Sequence, residues 1–255
     1  MKMPNTKGSG QTDDEQLESQ RETFIASLSH DLKNPTIAQI RALELCLKGS
    51  FGKLSSKQRE IIEMVLDSCK YMNSMLCSLL ITYKCDRGSL KLSNEEVSIP
   101  DLAVECIDEI IFLAKDKEIN INVTNSATKE IVWGDKVQLK RVIMNLLTNG
   151  IKYAYRKSVL NVKIYNEADY TCFCFENNSP YIKPERQEKI FARYVSYAQS
   201  HQEFGIGLGL YASKKIVEAH DGSIFVQSFE DERNIFGFKI PNSETYSDLQ
   251  RNVTF

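Results

Sequence analysis

The sequence has no apolar run approaching the roughly 20 residues that a bilayer-crossing helix needs, so no membrane span is expected. No secretory leader is expected either. Residues 1–20 are polar, without the short apolar core of a signal peptide. Net charge is nearly absent. Lys and Arg number 32 against 34 Asp and Glu, and the resulting −2 gives no basic field for nucleic acid or an anionic membrane. No C-x-x-C pair occurs among the seven cysteines, Cys46, Cys69, Cys77, Cys85, Cys106, Cys172 and Cys174. Cys172 and Cys174 lie in an alternating, strand-like run and would face one side. Buried thiols in a reducing compartment fit them better than a metal or redox pair, which would want a fuller ligand set. A cytoplasmic protein is expected. What is present is an ordinary soluble composition, 42% hydrophobic and 26% charged, over a length that admits one large domain or two ordinary ones.

The chain changes character along its length. Residues 1–20, rich in Gly, Ser, Gln and Asp, are expected to be disordered. They are too short for a sensory domain, so no input module is expected within the chain. Residues 17–48 read as one long helix, interrupted at Pro35, whose missing N–H should kink it. Phe24, Leu28 and Leu32 recur at four-residue spacing with Ile25 beside them, forming one apolar stripe. His30 then points away from that stripe, and Asn34 follows one turn later on the same outward face. An outward imidazole beside Asp31 and an amide can act as nucleophile or proton carrier; taken alone it can equally be an ordinary surface histidine.

Glycines at 49 and 52 end this helix, and Ser55 or Ser56 caps a second. There Ile62, Val65, Cys69, Met72, Leu76, Leu79 and Tyr83 alternate spacings of 3 and 4, a heptad seam. On one hairpin such a stripe leaves apolar surface open, whereas two hairpins joined as a four-helix bundle would bury it. A homodimer is therefore expected, the alternative being that the stripe packs on the C-terminal part of the same chain.

Beyond residue 89 strands and helices mix. Residues 90–97 read as linker or strand, and Ser98 with Pro100 as the start of a helix to 115. Strands are expected at 118–124 and 131–133, and a helix capped by Asp135 runs to about 155. Strands at 159–165 and 170–176 flank a polar turn at 166–169. A short helix is expected at 185–191, a longer one at 208–219, and a strand hairpin at 223–229 and 234–240. The expected fold class is α+β: a helical hairpin forming a dimeric four-helix bundle, followed by an α/β sandwich with helices on one face of a sheet. The divisions expected are 1–20, 21–89, 90–241 and a loose tail at 242–255.

Two stretches of the second part carry chemistry. The run Gly205-Ile206-Gly207-Leu208-Gly209-Leu210 opens a helix, and glycines there let backbone N–H groups approach an anion. No Lys-Ser/Thr follows, so it is not a Walker loop, and no strand leads into it as in a dinucleotide fold. By itself it can also be a hinge. Asn145, Asn149, Lys152 and Tyr153 fall at i, i+4, i+7 and i+8 of one helix and share a face. Amide oxygens can hold Mg²⁺ and a lysine can hold phosphate; a solvated helix face is the plainer reading.

Together these segments resemble the sensor histidine kinases of two-component systems, whose ATP-binding fold is shared with gyrase, MutL and the Hsp90 chaperones. His30-Asp31-Leu32-Lys33-Asn34-Pro35 resembles the phospho-acceptor box, 145–153 the N box, Ile190-Phe191-Ala192-Arg193-Tyr194 the F box and 205–210 the second glycine box, in the family's order over about residues 21–241. The resemblance implies ATP and Mg²⁺ as cofactors, with His30 phosphorylated, Asp31 activating its imidazole and Asn34 positioning water for dephosphorylation of a partner. It implies Asn149 on Mg²⁺ with Asn145 nearby, Lys152 near the phosphates and Tyr153 against the adenine. Gly205, Gly207 and Gly209 would shape the lid, with Leu208 among the nucleotide contacts. It implies as partners the receiver domain of a separate response regulator and an input from elsewhere, a separate sensor or a membrane-bound one.

The first glycine box departs from the family's Asp-x-Gly-x-Gly. The run here is Asn177-Asn178-Ser179-Pro180-Tyr181-Ile182. Asn177 keeps an acceptor oxygen and loses the charge, Tyr181 restricts the backbone, and Ile182 remains among the expected nucleotide contacts. Weakened but retained ATP binding is expected. The alternatives are a degenerate scaffold that dimerises and binds a regulator, a phosphatase-dominant enzyme, and an ATPase or serine kinase of related fold, against which the histidine box argues.

Overall fold

The computed structural model describes residues 31–195 and 207–242. Residues 31–47 are helical (α1) and are followed by α2 (Ser56–Asp86). Gly49, with φ of +79°, closes α1: its N–H bonds back to the Cys46 carbonyl at 3.0 Å and the Ser50 N–H to Leu45 at 3.1 Å. A reciprocal capping box opens α2. The Gln58 N–H donates to Ser55 Oγ at 3.3 Å, and the Ser55 N–H donates to Gln58 Oε1 at 2.9 Å. Near the start of the described α1, Thr36 Oγ1 donates to the Leu32 carbonyl at 2.8 Å, one residue past the proline.

The heptad seam of α2 divides into two faces. Cys69 is buried and lies 3.8 Å from Gln39 Oε1 of α1, Ile62, Leu76 and Tyr83 are half-buried, and Leu66 and Cys77 are buried next to the seam. Val65, Met72 and Leu79, spaced seven apart, are 42%, 43% and 46% exposed, with Ile61 and Met64 open beside them. One half of the stripe is closed within the hairpin and the other half is left uncovered in the single chain.

The second compact unit begins at Ile81, inside α2. It holds β1 (Glu95–Ser98), α3 (Ile99–Asp116), β2 (Asn120–Asn125), β3 (Ile131–Gly134), α4 (Lys136–Tyr153), β4 (Val159–Glu167) and β5 (Tyr170–Asn178). Then come α5 (Pro184–Gln187), α6 (Gly209–Ala219), β6 (Ser223–Ser228) and β7 (Arg233–Pro241). Five strands form one sheet in the order β2-β4-β5-β7-β6, parallel only between β2 and β4, while β1 and β3 pair separately. Helices α3, α4 and α6 cover one face of the sheet. Leu102, Ile110, Leu139, Leu146, Ile216, Phe173, Phe175 and Phe238 are among the residues closing the core between them. Ile81 belongs to that core, with Cys85 packed against it.

Local chemistry explains the elements. Ser98 accepts from the Asp101 N–H at 3.3 Å with Pro100 in the first turn of α3, and Asp135 Oδ1 accepts from the Gln138 N–H at 3.0 Å to start α4. The α+β architecture is as expected. The helix expected at 185–191 is shorter: α5 is one turn, and Ile190 and Phe191 follow it in turns as buried anchors. Strands β4 and β5 run further than their polar ends suggested, leaving only Ala168 and Asp169 to turn. Asn166 is spent on bonds that hold the 128–129 backbone to β4, at 2.8 and 2.9 Å.

Candidate active site

The face of α4 that carries Asn145, Asn149, Lys152 and Tyr153 stays off the core. The two asparagines and the lysine are half-buried and Tyr153 is exposed. The opposite side packs down because Gly150 has no side chain: a Cβ there would stand 2.9 Å from the Phe175 ring. The last turn of α4 is closed by Lys117. Its ammonium donates to the Ile151 carbonyl at 3.2 Å and also to the Lys152 carbonyl, placing positive charge on the negative end of the helix. Lys152 Nζ lies 5.2 Å from the centre of the Tyr153 ring.

Asn145 is fixed by α6. Its Nδ2 donates to the buried Ser213 Oγ at 2.9 Å, and its Oδ1 backs onto Gly209, where a Cβ would come within 2.5 Å. Gly207 has a different need. Its φ is +71°, and a Cβ would meet the Val195 backbone at 2.5 Å; its carbonyl accepts from the Tyr194 N–H at 3.1 Å. Leu208 is buried between them. The glycine run therefore joins the end of the F box to the N box through contacts only glycine permits.

The first glycine box, where the resemblance expects the base, lies on β5 and beside β7. Asn177 is 3% exposed; its Nδ2 donates to the Gly150 carbonyl at 2.7 Å and its Oδ1 accepts from Ser179 Oγ at 3.2 Å. Asn234, opposite Asn177 in the ladder and fully buried, donates to the Ser179 carbonyl at 2.9 Å, to Ser179 Oγ at 2.5 Å and to the Pro180 carbonyl at 3.1 Å. Ile182 is pinned through its N–H to Ser228 Oγ at 2.8 Å and through its carbonyl to Gln187 Nε2 at 2.7 Å. At the N-terminus of α4, His220 takes its neutral form. Nδ1–H donates to the Ile216 carbonyl at 2.7 Å, and Nε2 accepts from the Asp135 N–H at 2.9 Å. Burial lowers its pKa, against the smaller opposing pull of the Ile216 hydrogen bond and of Asp135 and Asp221.

In the helical hairpin, Asp31 and Asn34 are exposed on α1. His30 and Gly205 lie outside the described residues. Residues 134–244 match the family described as histidine kinase-, DNA gyrase B- and HSP90-like ATPase, and residues 20–86 match the His Kinase A (phospho-acceptor) domain. The chain is the catalytic core of a sensor histidine kinase.

Relatives of this kinase core include the circadian input-output histidine kinase CikA of Synechococcus elongatus, 25% identical over 222 residues, 86% of this chain and 29% of the relative. The adaptive-response sensory kinase SasA of a Synechococcus species is 27% identical over 223 residues, 87% of this chain and 59% of the relative. The chain thus spans less than two thirds of either. In fold it is similar to full-length ShkA, crystallised in complex with AMPPNP, with a TM-score of 0.68 at 21% identity over 86% of this chain and 46% of that one.

The donor set of the kinase core suits a magnesium ion that arrives with phosphates. Amide oxygens are at hand on α4, and no cluster of three or more His, Cys, Asp or Glu side chains exists among the described residues. Such an ion needs only one or two protein ligands. Sequence reasoning missed Ser213, Asn234, Lys117 and His220. Only Asn234 carried a signal, a polar residue of poor strand propensity at an inward position of β7.

Proposed function

We propose that the chain autophosphorylates on His30 with MgATP and passes the phosphoryl group to an aspartate of a separate response regulator in the cytoplasm. The observation that carries this reading is the pairing, in one chain, of a phospho-acceptor helix with an ATPase fold whose α4 face presents Asn149, Lys152 and Tyr153 outward. Lys152 binds phosphate oxygens, Tyr153 lies along the base, and Asn149 is the protein ligand for Mg²⁺, with Asn145 held beside it by Ser213. Bound Mg²⁺ supplies charge neutralisation at the phosphates. In the transfer, a ring nitrogen of His30 attacks the γ-phosphorus. The N–P bond forms as the bond to the bridging oxygen breaks, ADP leaves, and Asp31 takes the imidazole proton. The open seam at Val65, Met72 and Leu79 supports a homodimer through a four-helix bundle. Asn34, exposed on the same helix, supports a second activity, the placing of water for dephosphorylation of the regulator.

Incubation with γ-labelled ATP tests the reading. Acid-labile label in the parent, lost in His30→Ala and in Asn149→Ala, is the expected result. A specific observation favours one rival: the Asn177 amide spends an N–H on Gly150, as a site adapted for structure rather than for nucleotide would. A parent that takes no label and still binds a receiver domain establishes that scaffold instead.

A further inference from the structure

The base end differs from the rest of the site in one respect. Its polar groups, brought together from three segments, form a chain with a fixed direction. Asn234 Nδ2 donates to Ser179 Oγ, Ser179 Oγ donates to Asn177 Oδ1, and Asn177 Nδ2 donates to the Gly150 carbonyl. Asn177, Ser179 and Asn234 are 3%, 4% and 0% exposed. The direction cannot reverse. A rotated Asn177 amide would set its oxygen against the Gly150 carbonyl at 2.7 Å, and a rotated Asn234 amide would face the carbonyls of Ser179 and Pro180. Asn177 is therefore not a weakened carboxylate. Its N–H joins the Ala154 N–H on the Gly150 carbonyl, and a carboxylate in the same place would set an oxygen against that carbonyl.

The relay leaves surplus acceptor capacity. An amide oxygen has two lone-pair sites, and Ser179 occupies one of those on Asn177 Oδ1. Asn234 Oδ1 is buried with no hydrogen-bond partner among the described residues. The Asn177 amide oxygen, an acceptor, matches an exocyclic amine and opposes a carbonyl at the same ring carbon.

We infer that Ser179 and Asn234 are positioning residues that lock the Asn177 amide with its oxygen toward the nucleotide base, selecting a purine with an exocyclic amine over one with a carbonyl at the same ring carbon. The inference rests on the ATP-dependent reading above. It gives two of the three substituted positions of the first glycine box, 177 and 179, a joint purpose: the serine hydroxyl holds the asparagine that stands in place of the aspartate.

The test compares ATP with inosine triphosphate, which exchanges the amine for a carbonyl and turns the neighbouring ring N1 from acceptor to donor, by calorimetry on the full chain with Mg²⁺. The parent should prefer ATP by about ten-fold or more, and Ser179→Ala should lower that ratio by about five-fold, the worth of one neutral hydrogen bond. Ser179→Thr, which keeps the hydroxyl, should restore it. Asn234→Ala should act in the same direction, and Asn177→Asp should fail to tighten ATP because a carboxylate oxygen would face the Gly150 carbonyl in place of a donor. A loss of fold alone would weaken both nucleotides together; the ratio moves only if the relay sets orientation. ATP bound with an unchanged ratio in Ser179→Ala, or bound more tightly by Asn177→Asp, overturns the relay and leaves the kinase reading standing. A parent that binds neither nucleotide overturns both.

Discussion

The helical hairpin and the α+β unit deal with apolar surface in opposite ways. In the α+β unit the three helices and the sheet close on one another, so that Phe173, Phe175, Phe238, Leu139 and Leu146 are all within 1% of full burial. In the hairpin only alternate positions of the α2 seam are closed, and Val65, Met72 and Leu79 stay more than two-fifths exposed. A two-layer sandwich supplies its own partner for every apolar face. A two-helix hairpin has too few faces to do so, and its remaining stripe stays open for the second copy proposed above. The difference separates a unit that covers its own apolar faces from one that leaves a face open.

The sharpest way to break the contrast is to damage the self-sufficient unit. Phe173 is fully buried and its ring stacks on Phe238 at 5.5 Å. Phe173→Ala should cost about 3–5 kcal/mol of unfolding free energy, read in denaturant titrations of the full chain, with the hairpin still associating at low denaturant. A loss under about 1 kcal/mol would mean that the core is not closed as described. The complementary change acts on the open stripe. Met72→Lys should cost the parent little as a single chain and should weaken self-association by about 1.5–3 kcal/mol per copy, the worth of a buried apolar side chain. Sedimentation velocity should show a dimer shifting to monomer. A parent that is monomeric at all concentrations would instead return the stripe to some other cover.

Those two outcomes also separate what was legible in the sequence from what was not. The asparagines of α4 were legible because a helix places i and i+4 on one face whatever surrounds it. The caps at Ser55, Ser98 and Asp135 were legible because their partners lie three residues on. The heptad was visible, but its division into a closed and an open half was not. That division depends on α1, about 30 residues away, where Gln39 meets Cys69. The separate pairing of β1 with β3 was hidden for the same reason, since register between distant strands leaves little local trace. At the base end, the departure of Asn177 and Ser179 from the family pattern was plain, but it looked like loss. Asn234 stands 55 residues from Ser179, and only the ladder between β5 and β7 brings it there. The contribution of a side chain whose partner is that distant cannot be assigned from spacing.

The smallest effect expected concerns pH and again marks the α+β unit. His220 is 3% exposed and joins the end of α6 to the start of α4: Nδ1–H to the Ile216 carbonyl, Nε2 accepting the Asp135 N–H. Its pKa is lowered from the ordinary 6.5, chiefly by burial. The folded chain thus holds the neutral ring while the unfolded chain takes up a proton. Stability from this group is complete above about pH 6.5 and declines as pH falls toward the folded pKa, with a slope of at most about 1.4 kcal/mol per pH unit for one proton. Protonation would also turn Nε2 into a donor facing the Asp135 N–H, which is why the folded state resists it. Unfolding free energy should therefore drop between about pH 7.5 and about pH 5.5, a range above the ordinary carboxylate titrations. In His220→Gln the chain should be less stable at neutral pH and should lose that pH slope. A slope that survives the substitution would move the proton uptake to another group and leave His220 as packing alone.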